Sequence, residues 1–241
     1  MVGAITLTAW LIIYYEGSLS ILLTVTAVFL ALGIIGNSAL LVSLSALSVA
    51  SWLGGSTGYM HAFYWLIIQE ATVTIVVFAV LALIALYLSN RISATYERIA
   101  LICARVSLVY VNLGFLVGSL HGDNVGESWV KSGVFSDFTN LRFQEADGNS
   151  ATFLSIPDPI FSAMWALALI AVGIWGVHEN RRFVVNTATV FGSILFYTKF
   201  FEYCGITDSL AWMFAGIFAI GIALGFWKYN RLATHPASTL S

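Results

Sequence analysis

Glu70, Lys199 and Glu202, with Tyr59 and His61 near the same depth, are the residues whose types and spacing best suit chemistry. Glu70 opens one apolar stretch, while Lys199 and Glu202 close another three residues apart, a spacing that lets them pair along one helix face. If those stretches are neighbours, Glu70 reaches Lys199. The group, with Tyr64, Tyr203 and Asp208, then forms a vestibule for a proton or small solute. An interfacial ion pair beneath an acidic loop is the simpler outcome. A second set comprises Arg105, Asn112 and Asn186. Arg105 lies ~10 Å along a helix from Arg98. It is expected to snorkel toward headgroups, to hydrogen-bond Asn186 or Thr189, or to line an inward polar groove with Asn112.

Other chemistry finds no support. No Ser/His/Asp set, phosphate loop or HExxH motif is present, so no enzymatic role is expected. His61 stands alone among aromatics, and His121, His178 and His235 lack ligand spacing, so no metal is expected. Lys199 sits near a segment end without an acidic partner one turn ahead, unlike a Schiff-base lysine; no cofactor is expected. Cys103 and Cys204 fall at opposite ends of their segments and are not expected to form a disulfide.

The elements that hold these residues follow from composition. Hydrophobic residues make up 59% and charged residues 9%, with mean hydropathy +0.90. Soluble chains carry about 25% charged residues. Too little polar material remains to cover a water-facing surface, and no basic stripe suits nucleic acid. An all-α membrane protein is expected, a bundle of about eight transmembrane helices in a single domain. The spans fall at roughly 2–15, 19–36, 38–53, 68–88, 99–120, 159–177, 183–201 and 209–227. The first run lacks a signal-peptide n-region and cleavage site and is read as a retained span.

Charge orients the bundle. Arg91, Arg98, Arg105, Arg181, Arg182, Lys228 and Arg231 gather at one set of span ends with only Glu97 and Glu179. The other ten acids lie opposite with Lys131, Arg142 and Lys199. Basic loops stay cytoplasmic, so both termini are expected inside. The first span is short, and seven crossings with the N-terminus outside is the fallback.

The loop at 121–158, with about 36 residues from Asp123 to Asp158, is too small for its own core and is expected to cap the outer helix ends. Within it, Leu141–Phe143 and Thr152–Leu154 suggest a short hairpin around Asp147-Gly148-Asn149. The stretch from Gly54 to Trp65 suggests an interfacial or re-entrant half-helix. Gly114-x-x-x-Gly118 and Gly221-x-x-x-Gly225 mark close helix packing, within the bundle or at a homo-oligomer or partner face.

Ser56-Thr57-Gly58-Tyr59-Met60-His61, Asn112-Leu113-Gly114-Phe115-Leu116-Val117-Gly118-Ser119-Leu120, Phe200-Phe201-Glu202-Tyr203 and Trp227-Lys228-Tyr229-Asn230-Arg231 carry a resemblance. The chain resembles a group of proteobacterial polytopic inner-membrane proteins with no assigned function. The resemblance implies an inner-membrane location with the acidic loop in the periplasm, and brings no catalytic residues. The expected role is non-enzymatic packing against, or scaffolding of, other membrane components. The alternative is a small-solute or proton-coupled transporter using Glu70, Lys199, Glu202 and Arg105; a membrane enzyme ranks third.

Overall fold

The computed structural model describes residues 2–15, 19–60, 63–126, 154–179, 181–204 and 209–234. Eight helices lie among them: α1 (Val2–Tyr14), α2 (Leu19–Ile35), α3 (Ala39–Trp52), α4 (Ala71–Ser89), α5 (Ala94–His121), α6 (Asp158–His178), α7 (Arg182–Cys204) and α8 (Ser209–Thr234). Two antiparallel ribbons interrupt them. β1 (Gly55–Met60) pairs with β2 (Phe63–Ile68), and β3 (Asp123–Val125) pairs with β4 (Leu154–Ile156).

Four helical segments are long and apolar enough to cross a membrane: Ala71–Ser89, Tyr96–His121, Asp158–His178 and Arg182–Tyr203. Shorter apolar stretches occupy Ile5–Tyr14, Ile21–Ile35, Ala39–Trp52 and Trp212–Gly225. The 19 residues of α4 span ~28 Å, close to the ~30 Å of a bilayer core. Their exposed sides are apolar as well: Leu83 on α4 is 67% exposed and Leu167 on α6 is 69% exposed. A water-facing helix would carry polar residues there. These features belong to a membrane protein.

The chain divides into two compact units, Met1–Thr187 and Ala188–Ser241, with the boundary inside α7. In the first unit, α2 and α3 form a hairpin through Asn37, whose φ of 46° is the left-handed conformation a short helix-helix turn requires. Gly33 lets the two backbones close, since a Cβ there would lie 2.8 Å from Val42 Cγ2. Across the same seam the Ser45 hydroxyl donates to the Thr26 carbonyl at 3.1 Å. α5 is the central helix, packed against α3, α4 and α6. Phe78 of α4 is fully buried, clusters with Ala46, Ala50 and Leu53, and stacks on Tyr110 at 4.6 Å.

Both glycines of the α5 motif are used inside this unit. A Cβ on Gly114 would meet Ile75 of α4 at 2.9 Å, and one on Gly118 would meet the Phe161 ring of α6 at 2.6 Å. In the second unit, Phe196 stacks on Phe218 at 3.9 Å, and the Tyr197 hydroxyl donates to the Ala215 carbonyl at 2.8 Å. Gly221 and Gly225 of α8 have nothing within 4 Å of the Cβ position.

Two local readings differ from the sequence expectation, and a third lies mostly outside the described residues. Among the described residues from Gly54 to Trp65 there is no half-helix: a β-hairpin pairs Gly58 with Trp65 and Tyr59 with Tyr64. Glycines and a run of aromatic and β-branched residues disfavour helix and suit a pleated ribbon. The hairpin carries the chain through Ile68, so α4 begins at Ala71. Of the suggested hairpin in the long loop, 141–143 and 152–153 lie outside the described residues, and Leu154 pairs with Val125.

Candidate functional site: a carboxylate-lined pocket where α5 ends and α4 and α6 begin

Connectivity places both ribbons at one end of the first unit, where α3 and α5 finish and α4 and α6 start. A helix start leaves N–H groups without partners. At α4 the N-cap residue is Glu70, but its side chain makes no bond to its own helix. The missing acceptor comes from elsewhere: Asp123 Oδ2 accepts the Thr72 N–H at 2.7 Å. Glu70 turns the other way, and its Oε2 accepts the Gly126 N–H at 2.8 Å. Gly126 has φ +87°, a conformation glycine adopts without strain, and this aims its N–H at the carboxylate. Glu70 is fully buried and Asp123 nearly so. Two carboxylates thus lock β3 onto the start of α4, both at the positive end of its dipole.

Beside this lock lies a cavity of about 510 Å³, lined chiefly by Gln69, His121, Asp123, Asn124, Ser155 and Asp158. Asp158 sits in the first turn of α6 and His121 in the last turn of α5, where the helix dipoles favour a negative and a positive charge respectively. Gly122, with φ +69°, lets β4 approach, since a Cβ would lie 2.9 Å from the Ile156 carbonyl. The lining offers acceptors and an imidazole to a small polar or cationic molecule. No group of three metal-ligating side chains occurs among the described residues.

Of the expected site residues, Glu70 belongs to this end and adjoins the pocket through Gln69. His61 lies outside the described residues, and Tyr59 is placed only by its backbone in β1. Asp208 is also outside them, as are 127–153, which carry most of the acidic loop. Lys199 and Glu202 pair at 2.7 Å on α7, in the second unit. Asp123 and His121 escaped notice as site residues because one counted only as loop charge and the other as an isolated imidazole. The glycines at 122 and 126 were the available signal.

The inner set separates. Asn112 is buried; its Oδ1 accepts the Trp165 indole N–H at 3.0 Å and its Nδ2 donates to the Leu108 carbonyl at 2.8 Å. It ties α5 to α6 and lines no groove with Arg105. Arg105 is exposed, with its guanidinium 5.1 Å from the centre of the Phe183 ring. Asn186 Oδ1 is buried and has no hydrogen-bond partner among the described residues.

Comparison with protein-family models, with curated proteins and with solved structures gives no match.

Proposed function

We propose that this chain is a multi-pass inner-membrane protein that packs against or scaffolds other membrane components and catalyses no reaction. In this reading it crosses about eight times with both termini cytoplasmic and residues 121–158 periplasmic, as the sorting of basic residues suggests. The observation that carries the reading is the set of side-chain contacts between the levels of Glu70 and Arg105. Phe78 stacks on Tyr110, Asn112 bonds Trp165, Trp165 lies parallel to Phe115 with centroids at 6.4 Å, and Gly118 closes on Phe161. A conduit between the two polar ends would need space where these side chains stand.

With Gly114 and Gly118 occupied within the first unit, Gly221 and Gly225 on α8 offer an open small-residue face. The test is native purification in mild detergent with mass measurement of the intact particle, for the wild type and for Gly221→Leu. The expected result is a defined complex or homo-oligomer that the substitution dissociates. A wild-type particle of single-chain mass ends the proposal. Reporter fusions test the topology, and one after residue 129 should be active only in the periplasm.

The pocket beside Asp123 favours a second reading, a small-solute or proton-coupled carrier. Asp123→Asn and Asp158→Asn variants should then lose uptake of the solute in vesicles while remaining folded. Uptake indifferent to both removes this reading.

A further inference from the structure

We infer that Arg105 and the turn joining α6 to α7 form a binding site for the phosphodiester of an anionic phospholipid in the cytoplasmic leaflet. The inference rests on the membrane reading above. From Ile99 to Ser119, Arg105 is the only exposed residue of α5, a helix otherwise covered by its neighbours. A permanently charged guanidinium is thus presented on the outside of the bundle, ~10 Å along the helix from Arg98, where lipid replaces water. Such a charge needs a counter-ion. Among the described residues no carboxylate pairs with Arg105.

Its guanidinium lies over the Phe183 ring, 5.1 Å from the ring centre. Phe183 is the second residue of α7, so the guanidinium rests at the level of the α6–α7 turn. That turn is tight: the Arg181 N–H donates to the Gly176 carbonyl at 2.8 Å, and the Arg181 carbonyl accepts the Val184 N–H at 2.9 Å. Arg181 and Arg182 therefore stand immediately before the ring that holds Arg105. Glu179 precedes them in the turn, and Glu97 and Arg98 lie in the first turns of α5. Basic residues predominate.

Stacking on a ring fixes the plane of a guanidinium and leaves its N–H edge free for bidentate bonds to phosphate oxygens. Basic pockets between helices on the cytoplasmic side are suited to anionic headgroups. Phosphate oxygens supply the missing counter-charge, and the acyl chains continue along the apolar exterior.

The test uses the full chain in nanodiscs of phosphatidylcholine mixed with phosphatidylglycerol, with native mass spectrometry of the lipids retained on release. The wild type is expected to retain phosphatidylglycerol preferentially. Arg105→Gln should lower that preference about fivefold, and Arg105→Lys should restore part of it, keeping the charge without the fork. Equal retention of both lipids by the wild type, or unchanged preference in Arg105→Gln, overturns the site. Displacement of the lipid by inorganic phosphate reassigns it to a soluble anion and overturns the lipid. Failure of the wild type to enter nanodiscs defeats the membrane reading instead, and the site with it.

Discussion

Asp123 caps a helix to which it does not belong, its Oδ2 accepting the N–H of Thr72, 51 residues earlier in the chain, at 2.7 Å. The contact turns a three-residue strand into a fastener between the start of α4 and the segment that follows α5. Glu70 and Gly126 repeat the arrangement in the opposite sense, with the carboxylate on the helix side and the N–H on the loop side.

Replacing Asp123 by Ala removes the acceptor from the α4 terminus, a loss of about 1 kcal/mol for a helix cap. The melting temperature in detergent, followed by tryptophan fluorescence, should fall. Asp123→Asn keeps an acceptor oxygen and should fall less.

Glu70→Ala leaves the Gly126 N–H buried without a partner, at a cost of about 1–3 kcal/mol. Glu70→Gln retains a carbonyl oxygen and should recover much of that. Gly126→Ala should destabilise by strain at φ +87°, although both carboxylates stay in place. Denaturation midpoints of the three variants order the effects.

Gly118→Ala drives a methyl group toward the Phe161 ring and should cost about 1–3 kcal/mol, the usual penalty for overpacking. Gly221→Ala meets nothing within 4 Å and should cost the isolated chain no stability. Equal losses at both sites would mean that Phe161 is not what Gly118 accommodates.

Trp165→Phe deletes the indole donor to Asn112, and Asn112→Leu deletes the acceptor. A double-mutant cycle should return a coupling of about 0.6 kcal/mol, the size typical of hydrogen bonds between membrane helices. Zero coupling in a cycle of folded variants would exclude the bond.

The spans of α4, α5 and α6 were legible because breakers bound each apolar run: Asn90 to Ser93 after α4, Gly122 after α5, and Pro157 with Pro159 at the start of α6. Residues 55–68 were not, since apolar and aromatic content alone does not separate an interfacial helix from a ribbon, and here the glycines decide for the ribbon. Asn112 seemed matched to Arg105 because two turns of helix put them on roughly one face. Its actual partner, Trp165, comes from α6 and depends on which helix packs against α5. Asp123 was hidden for the same reason: a cap supplied from a distant strand leaves no local pattern.

Asp123 is translated only after α4 and α5, so the start of α4 waits without this acceptor while its neighbour is made. A chain cut short of this aspartate therefore keeps every residue of α4 and still lacks one acceptor at its start.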